Sequence, residues 1–449
     1  MEARKPEVGR PLDPNAVRWA AFIGYFVDMF DIYLPVIALA PAISYFQPPT
    51  LGRGLQNTIY YAVFATSLIG RPLGSLIFGH FADTVGRRVV ALISVAGFTV
   101  VNLLIALLPG YDLIGLTGIV LLIILRLLDG IFLGGEYTGA NTLAMEYTPK
   151  EKRGFTGAYI TGAYAAASAA ISLATVAVLS LVPAGKPDAP YVLWGWRIPF
   201  LFGVFLSTWL FFYFRRAIPE SEVWQGASRV TSPVVTLARR GYRKALLQVF
   251  AMMTGVWLVF LCAATTLPRV LQADLRLNHT VVTTILIFAN LMLFLGYLLF
   301  GELSQRYGRR RLLVIGGLLN AIATPFLYFT LARGEVSRAA LIALVTAIEI
   351  LAVAGTFAVP LSYLTERFPT EVRATGFGIG YSAAAILPSF YGFVMLWLSQ
   401  WMAYKYAPLP LIAAGGLIMA LGAAWGPETR EVEMNVVLVE EGQTKAYGV

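Results

Sequence analysis

The sequence predicts an all-α membrane protein whose twelve transmembrane helices form two halves of six. Its 449 residues are 58% hydrophobic and only 13% charged, with a mean hydropathy of +0.70, whereas soluble domains carry about 25% charged residues. Apolar runs of about 20 residues or more recur from end to end, and each is long enough to cross a hydrocarbon core. Two sequence signatures also occur twice, at an offset close to half of the chain.

The apolar runs define the predicted spans. The first run, from Trp19 to Phe46, is too long for a cleaved signal peptide and lacks a small-residue cleavage site, so we interpret it as a transmembrane helix. The spans are expected at about 18–46, 57–82, 89–109, 114–145, 155–183, 195–215, 245–272, 280–304, 311–332, 337–366, 372–401 and 406–425. They divide the chain into an N-terminal half (1–215), a linker (216–244), a C-terminal half (245–426) and a short tail (427–449).

The positive charges are distributed unevenly between the two sides of the membrane. With the N-terminus inside, 24 of the 34 Lys and Arg residues fall in cytoplasmic segments, as the positive-inside rule requires. The net charge of +9 therefore follows from topology, and nucleic-acid binding is not needed to explain it. We expect a multi-pass protein of the cell membrane with both termini in the cytoplasm. The single cysteine, Cys262, excludes an internal disulfide.

An internal repeat relates the two halves. The segment GHFADTVGRR (79–88) returns as GELSQRYGRR (301–310), 222 residues later. The segment EYTPKEKRG (146–154) returns as ERFPTEVRA (366–374), 220 residues later. Parallel repeats of six helices are a known transporter architecture, in which the substrate site lies near the midplane between the halves.

These motifs resemble the signatures of the major facilitator superfamily. The pattern G-x-x-x-D-x-x-G-R-R between spans two and three is formed here by Gly79, Asp83, Gly86, Arg87 and Arg88. The second copy departs from the pattern because Gln305 stands at the acidic position. The resemblance implies the fold of that superfamily, with two six-helix halves around a central cavity.

Longer matches resemble the metabolite:proton symporter family within that superfamily. They are GRPLGSLIFGHFADTVGRR (70–88), GGEYTGANTLAMEYTPKEKRG (134–154), WGWRIPF (194–200) and LTERFPTEVRATGFGIGY (364–381). The first span of that family carries an acidic-aromatic-aromatic-Asp pattern. VDMFDIY is similar to it, with Met29 in place of one aromatic residue.

Two neighbouring families share part of the pattern. PESEVW (219–224) and PETR (427–430) resemble motifs of sugar porters, but span seven, LLQVFAMMTGVWLVF (246–260), lacks the paired glutamines and the asparagine typical of those proteins. The D-x-x-D of span one and GGEY of span four are similar to phosphate:proton symporters. Those proteins usually have another aspartate in span seven, where this chain has Leu261 or Cys262.

Two carboxylates in the first span are candidates for proton coupling. Asp28 and Asp31 are three residues apart, so their side chains project within about 60° of one another on a helix. A polar pair that joins helices through hydrogen bonds would be one explanation. The other is a protonatable pair that faces the central cavity, since ionisable residues in spans usually mark ion or substrate pathways.

Span four carries a second set of embedded charges. Arg126 and Asp129 share a helical turn, and Asp129 and Glu136 lie seven residues apart on one stripe. Arg126 and Asp129 could form a fixed pair within the helix, or Arg126 could be a cavity arginine that exchanges partners during transport. The resemblance to sugar porters implies coupling of Arg126 to an acid of span one. The glycines of this span let neighbouring backbones approach closely; they are Gly130, Gly134, Gly135 and Gly139.

Three further residues are candidates for substrate binding. Arg71 lies midway through span two, too deep to reach either interface, so we assign it to an anionic substrate. Glu349 in span ten could be a functional acid or a hydrogen-bonded neutral one. Tyr381 matches a tyrosine in span eleven of the resembled family, although a packing role is equally open. Arg126 is the second arginine of this group.

The embedded acids outnumber the embedded arginines. Five acids (Asp28, Asp31, Asp129, Glu136 and Glu349) and two arginines would give a net charge of −3 if all were ionised. Uncompensated charge of this size is prohibitive in an apolar interior, so some of the acids must hold protons. A proton that enters with an anionic substrate would relieve the competition for the arginines; a sodium ion could serve the same purpose.

The loops that carry the repeat predict a cytoplasmic gate. Its candidate residues are Asp83, Arg87, Arg88, Glu146, Arg153, Arg309, Arg310, Glu366 and Arg373. These charges could serve only to set topology. The family resemblance instead implies salt bridges that close the inner side, and a network of several can bias two states that differ by a few kcal/mol.

We therefore expect a proton-coupled symporter that moves a small metabolite, an organic acid anion, by alternating access. A proton-coupled sugar, polyol or phosphate transporter is the alternative.

A channel is disfavoured by the two-fold repeat with buried opposite charges. An enzyme is disfavoured because the chain has two histidines, one cysteine and no G-x-S-x-G motif. A transporter-like sensor would need a longer signalling extension. The expected partners are the substrate, the proton and the lipid bilayer; we expect a monomer without a cofactor, a metal or nucleic acid.

Overall fold

A computed structural model gives the architecture of the chain and describes residues 14–48, 50–51, 53–182, 188–217, 232–238, 240–277 and 279–434. Most of the predicted linker, including the PESEVW motif at 219–224, lies outside the described residues, as does the tail after residue 434. The described residues form helices connected by turns and short loops, and they include no β-strand.

Twelve long helical segments are arranged in chain order. In the N-terminal half they are α1 (Pro14–Leu34), α2 (Arg53–Thr84), α3 (Arg87–Leu107), α4 (Thr117–Glu146), α5 (Arg153–Leu181) and α6 (Arg197–Ala217). In the C-terminal half they are α7 (Arg240–Ala263), α8 (His279–Tyr307), α9 (Arg309–Arg333), α10 (Arg338–Glu349, continued by Pro360–Arg367), α11 (Arg373–Ser382, continued by Tyr391–Leu398) and α12 (Pro408–Trp425).

The predicted twelve-helix fold is confirmed. Among the described residues, eleven helical segments are long and apolar enough to cross a membrane. The remaining segment is α2, whose 32 residues give a length of about 48 Å, which exceeds a hydrocarbon core of about 30 Å.

Several predicted spans are interrupted rather than continuous. The first span leaves α-helical geometry at Pro35, where a π-helical turn (Pro35–Leu39) is followed by a 3-10 segment (Ala40–Phe46). Proline has no N–H to donate to the preceding turn, which explains the change of geometry there. In α10 a π-helical turn (Ile350–Ala354) directly follows Glu349, and such turns are frequent at functional sites.

Glycines set the close packing of α2 against α4, as expected from the glycine-rich sequence of span four. A methyl group at Gly74 would lie 1.9 Å from the carbonyl oxygen of Ile131, and one at Gly130 would lie 2.1 Å from that of Ser67. The two backbones are therefore in direct contact, as small residues permit in membrane helix pairs. This contact fixes Arg71 on α2 relative to the acids of α4.

The repeat is visible in the backbone as well as in the sequence. Gly86 and Gly308 occupy equivalent positions before α3 and α9, with φ values of 135° and 102°. Only glycine adopts such values without strain. The same tight reversal therefore begins α3 in one half and α9 in the other, which explains why the motif has glycine at both positions.

Candidate functional site

A small cavity lies between the two halves, at the level of Arg71. Seven side chains from each half line the cavity, and its volume is about 30 Å³, enough for one or two water molecules. The lining residues are Tyr25, Met29, Ile32, Tyr33, Leu68, Arg71, Tyr164, Trp257, Phe260, Leu261, Tyr297, Val353, Phe357 and Tyr381. In this conformation the halves are closed around a site that is too small for a metabolite.

The cavity wall is aromatic, with one charged side chain, Arg71, among the residues that line it. Tyr381 is buried and stacks on Tyr137 with ring centroids 4.4 Å apart. Its carbonyl oxygen accepts a hydrogen bond from the indole nitrogen of Trp257 at 2.9 Å. The structure thus places the predicted residues Arg71 and Tyr381 at one site, contributed by opposite halves.

Arg71 is held by a carboxylate of the first helix. Its Nη2 donates to Oδ2 of Asp28 at 3.1 Å, and both side chains are buried. The guanidinium also lies 5.8 Å from the ring centroid of Tyr137. Glu136 is buried close to this pair and interacts electrostatically with both of its members.

A second charged cluster lies behind the cavity wall, inside the N-terminal half. Nη1 of Arg126 lies 2.9 Å from Oδ2 of Asp129, and both side chains are fully buried. Asp31 interacts electrostatically with both of these residues, and Asn102 on α3 is a further neighbour. Both Asp129 and Asn102 lie close enough to Asp31 for a hydrogen-bonding interaction with its carboxyl group. One guanidinium therefore faces two carboxylates in an apolar region.

The structure corrects the expectation that Asp28 and Asp31 both face the cavity. The residues of α1 that line it are Tyr25, Met29, Ile32 and Tyr33, which form one stripe at about 100° per residue. On this helix Asp28 lies at the edge of the stripe, where it reaches Arg71. Asp31 is rotated farther away and points into the N-terminal half.

Two predicted substrate residues lie away from the cavity wall. Arg126 is not among the residues that line the cavity, and it pairs with Asp129 one turn along the same helix. Glu349 is buried one turn before the lining residue Val353 and interacts electrostatically with Tyr33 and Tyr164. A direct role of either residue in substrate binding stays a prediction.

The repeated motifs meet at one end of the molecule, which we call the basic end: the loops 84–87, 146–153, 307–309 and 367–373. Here Asp83 of α2 accepts hydrogen bonds from the main-chain nitrogens of Ala374 (3.2 Å) and Thr375 (2.9 Å) and from the Thr375 hydroxyl (2.6 Å). These nitrogens belong to the first turn of α11. A carboxylate of one half therefore caps a helix of the other, an arrangement that stabilises a helix by about 1 kcal/mol.

Gln305, the departure from the motif, occupies the equivalent position in the second repeat. Its Oε1 accepts the main-chain N–H of Gly154 in the first turn of α5 at 2.9 Å, and its Nε2 donates to the carbonyl of Lys150 at 3.1 Å. The amide thus caps α5 from the opposite half as Asp83 caps α11. Replacement of the acid preserves the contact between the halves and removes its charge.

Glu146 joins the halves through two arginines. Its Oε1 lies 2.8 Å from Nη2 of Arg87 in its own half and 2.6 Å from Nη1 of Arg373 in the other half. Arg87 also donates to the carbonyl of Thr370 at 3.1 Å. These side chains are buried. Removal of one partner from such a pair costs more than loss of an exposed ion pair, because the other charge stays buried.

The repeat relates these three residues to Arg309, Glu366 and Arg153, which lie beside the start of the tail. Arg309 pairs with Glu366 at 3.3 Å within the C-terminal half. Arg153, the counterpart of Arg373, donates to the carbonyl of Val432 at 2.6 Å. Lys150 forms an ion pair with Glu433, and this contact lowers the pKa of the Glu433 carboxyl. The described tail therefore touches both halves.

Arg88 and Arg310 differ from the other gate candidates. Nη2 of Arg88 donates to the carbonyl of Arg215 at 2.8 Å, and Nη2 of Arg310 donates to that of Ala424 at 2.6 Å. Each of these bonds stays within one half, so it does not close the basic end. The equivalence of α6 and α12 in the repeat explains the matching contacts.

Several residues of these clusters were not predicted. Tyr137 lies within the quoted segment GGEYTGA, but no charge or spacing marks it as the partner of Arg71 and Tyr381. Asn102 is a single polar residue in an apolar run. The repeat alignment offered a signal for Gln305, since its position matches that of Asp83.

Two family models match consecutive parts of the chain. The model described as "Sugar (and other) transporter" matches residues 19–232. The model described as "Major Facilitator Superfamily" matches residues 246–447. The boundary between them falls close to the predicted division of the chain into two halves.

Curated relatives align over nearly the whole chain. The inner membrane metabolite transport protein YhjE of Escherichia coli is 29% identical over 90% of this chain and 92% of the relative. The shikimate transporter of the same organism is 28% identical over 90% of this chain and 92% of the relative. The proline/betaine transporter of that organism is 28% identical over 89% of this chain and 81% of the relative. The citrate-proton symporter of Klebsiella pneumoniae is 29% identical over 86% and 85%.

A solved structure of a proton:xylose symporter, XylE, bound to a bromodeoxyglucose matches the fold with a TM-score of 0.75. It is 17% identical, covering 94% of this chain and 98% of the other. An inward open conformation of the same transporter gives a lower TM-score of 0.66. With the two six-helix halves, the repeated motifs and the consecutive family matches, the chain belongs to the major facilitator superfamily of membrane transporters and resembles its proton symporters.

Proposed function

We propose that this protein is a proton-coupled symporter of a small organic anion that works by alternating access. The observation that carries the proposal is Arg71, the charged side chain of the aromatic central cavity, whose charge is shared with the buried Asp28 at 3.1 Å. A substrate anion that reaches this cavity meets one guanidinium and must compete with one carboxylate for it.

The cavity chemistry favours a carboxylate with an apolar or hydroxylated body. A carboxylate fits the planar donors of a guanidinium, and aromatic walls pack against carbon atoms while tyrosine hydroxyl groups can bind hydroxyl substituents. The names of two relatives support this class, because shikimate and citrate are carboxylate anions; proline and betaine, named for a third, carry a carboxylate together with a positive ammonium group. A tricarboxylate would place more negative charge here than Arg71 can balance.

Proton coupling follows from the competition for Arg71. When the substrate carboxylate takes the guanidinium, Asp28 loses its partner in a region with little water. A lone buried carboxylate is costly, so the favourable state is the one in which Asp28 has taken up a proton. Binding of the anion and of the proton then stabilise each other, which is the thermodynamic requirement for symport.

The second cluster supplies a further proton-binding group. Asp31 and Asp129 share one arginine, Arg126, so the cluster carries a net negative charge unless one carboxyl is protonated. Glu136 adds a fourth acid in the same half, near Asp28 and Arg71. We assign proton coupling to these four acids of the N-terminal half and substrate recognition to Arg71 with Tyr381. A sodium ion in place of the proton is the alternative.

We further propose that the basic end is cytoplasmic, as the positive-inside rule indicates, and that the protein is a monomer of the cell membrane. The contacts among Asp83, Glu146, Arg373 and Thr375 then close the cytoplasmic side in this conformation. Inward opening requires all of them to break. Outward opening leaves them intact, so these contacts favour the outward-facing state.

The test compares ligand binding by two arginine variants. Cys262 is buried, so a thiol-reactive dye reports unfolding and hence the thermal shift produced by shikimate, citrate, glycine betaine, xylose or phosphate. We expect a carboxylate to stabilise the wild type. Arg71→Gln should weaken its binding by about ten-fold or more, the effect of losing a charge-assisted contact. For Arg126→Gln, the carboxylate should still produce most of the thermal shift seen with the wild type.

A second variant keeps this test decisive. Arg71→Gln alone leaves Asp28 buried without its partner, which can impair folding; the double variant Asp28→Asn/Arg71→Gln removes both charges. If the folded double variant binds a carboxylate as the wild type does, Arg71 does not recognise the substrate, and the organic-anion proposal loses the observation that carries it. A shift with xylose or phosphate but with no carboxylate would favour the alternative of a sugar, polyol or phosphate transporter. If a sodium gradient alone drives uptake into proteoliposomes, and the rate of uptake does not depend on pH, proton coupling is excluded.

A further inference from the structure

We propose that a groove on the outer surface of the C-terminal half, at the basic end, binds the phosphate headgroup of an anionic phospholipid. The groove has a volume of about 600 Å³ and lies where the α8–α9 loop meets the end of α12. Four arginines line it: Arg306, Arg310, Arg311 and Arg430. This site is distinct from the central cavity, and the proposal does not depend on which substrate is carried.

The position of the groove matches the headgroup layer of a bilayer. The apolar span of α9 begins at Arg309 and that of α12 ends at Trp425, so the arginines lie within one or two turns of the end of the hydrocarbon region. Trp425 and Tyr307 are 62% and 60% exposed, and such aromatic rings are typical of the membrane interface.

An apolar strip continues from the groove along the same two helices. Ile315 lines the groove and is 50% exposed, and Leu318 on α9 and Leu421 on α12 are 45% and 62% exposed. In a membrane these side chains contact acyl chains. A ligand that combines a phosphate with hydrocarbon chains therefore meets a basic pocket and an apolar surface at the correct relative depth.

The charges of the groove are unequally satisfied. Glu428 gives its two carboxylate oxygens to the main-chain nitrogens of Arg309 (2.8 Å) and Arg310 (3.1 Å). Arg306 and Arg430 each have a carboxylate neighbour. Within the described part of the chain, the guanidinium groups of Arg310 and Arg311 form no ion pair. They are the positive charges available to a phosphate, which guanidinium groups bind with two donors at once.

The experiment measures stabilisation by defined lipids. Wild-type protein in a neutral detergent is mixed with equal amounts of phosphatidylglycerol or phosphatidylcholine, and melting is followed through the dye reaction at Cys262. Phosphatidylglycerol should raise the melting temperature more than phosphatidylcholine does. Native mass spectrometry should show phosphatidylglycerol bound to the protein. Arg310→Gln/Arg311→Gln should weaken phosphatidylglycerol binding by about ten-fold or more. If that variant does not fold, Arg311→Gln alone, at an exposed residue, should show a smaller loss.

The matched control changes two arginines at the same depth of the other half. Arg215 and Arg216 are exposed at the end of α6, the repeat counterpart of α12, and Arg215→Gln/Arg216→Gln should keep the preference for phosphatidylglycerol. If both double variants lost phosphatidylglycerol binding equally, binding would depend only on the total positive charge of the protein, and the proposed site would be rejected. A wild type without preference between the two lipids would reject it too. If inorganic phosphate or glycerol phosphate reproduced the shift, the ligand would be a soluble phosphate rather than a lipid.

Discussion

At the scale of single residues, the two acids of α1 have different surroundings despite lying one turn apart. Asp28 is paired with Arg71 at the cavity, whereas Asp31 lies in the cluster of Asp129 and Arg126 behind it. In the proposed mechanism Asp28 responds to the substrate through their shared partner Arg71, and Asp31 responds only through the electrostatic interaction of its own cluster with that site. Replacement of Asp28 and replacement of Asp31 are therefore expected to change transport in different ways.

Asp31→Asn is expected to abolish concentrative uptake while leaving exchange intact. Asparagine has the size of a protonated aspartate but cannot release a proton, and the empty carrier must release it to reset. The polar neighbours of Asp31 are Asp129 and Asn102, and the amide of asparagine can hydrogen-bond to both, so the change should preserve the fold. In proteoliposomes, uptake driven by a pH gradient should fall to background, and exchange of labelled for unlabelled substrate should continue.

Asp28→Asn provides the comparison, because it removes the partner of Arg71. Its expected phenotype includes altered substrate affinity, since Arg71 then carries an unshared charge. Concentrative uptake by Asp31→Asn at the wild-type level would show that Asp31 is only structural. Loss of exchange in Asp31→Asn, with the protein folded, would instead assign that residue to the binding site.

At the scale of helices, the contact between α2 and α4 fixes the relative positions of the candidate site residues. Arg71 belongs to α2, and Arg126, Asp129 and Glu136 belong to α4. Because the backbones touch at Gly74 and Gly130, the distance between these charges depends on the absence of side chains at the crossing. Packing at this crossing is therefore a condition for the electrostatics of the site.

Gly74→Ala is expected to destabilise the protein, and Gly392→Ala is its matched control. Both glycines lie in helices, where alanine is favoured over glycine by about 1 kcal/mol. The added methyl group would lie 1.9 Å from the Ile131 carbonyl oxygen at position 74 but would meet nothing within 4 Å at position 392. Overpacking costs about 1–3 kcal/mol. The melting temperature of Gly74→Ala should fall, and that of Gly392→Ala should be unchanged or higher.

A further readout separates local packing from site geometry. If Gly74→Ala displaces α2, substrate affinity should fall with stability, because Arg71 moves with the helix. An unchanged melting temperature for Gly74→Ala would contradict the close contact between α2 and α4.

At the scale of the whole molecule, the two halves are joined at the basic end by groups related by the repeat. Asp83 caps α11 and Gln305 caps α5, each from the opposite half. In the proposed alternating-access cycle, both caps open together when the halves separate at this end. Each is worth about 1 kcal/mol, and with the buried ion pairs of Glu146 they can bias the equilibrium between two conformations without locking it.

A disulfide across the basic end is expected to stop transport reversibly. Gly157 lies on α5 and Ser362 on α10, in opposite halves, and a β-carbon at Gly157 would lie 3.5 Å from that of Ser362. This separation suits a disulfide, whose β-carbons are about 3.5–4.5 Å apart. In a Cys262→Ala background, Gly157→Cys/Ser362→Cys should lose uptake on oxidation and regain it on reduction.

The two single-cysteine variants control for the substitutions themselves, and both should be insensitive to oxidation. Formation of the crosslink is verified by mass spectrometry of the linked peptides. Full uptake by the crosslinked protein would show that α5 and α10 do not separate during transport. In that case the contacts at the basic end would be static joints rather than a gate.

The sequence by itself determined the class of the protein, the number of spans and the two-fold repeat. Membrane spans can be read from composition because every span must be apolar over about 20 residues, whatever its neighbours are. The residues that carry charge in the membrane, from Asp28 to Glu349, could be identified for the same reason: such groups are exceptional in an apolar helix. The repeat also marked Asp83 and Glu146 as members of one loop cluster.

Only the tertiary structure decided which charges meet. The sequence grouped Asp28 with Asp31 because they are close along one helix, but a helix turns by about 100° per residue, and small differences in rotation select different partners on α2 and α4. It left open whether Arg126 pairs with Asp129 on its own helix or faces the cavity, and the packed structure shows the pair, with Asp31 of α1 beside it. The role of Gln305 depends on α5 of the other half. Such choices are set by the rotation and separation of packed helices, which depend on every contact between them and not on the spacing of residues along one of them.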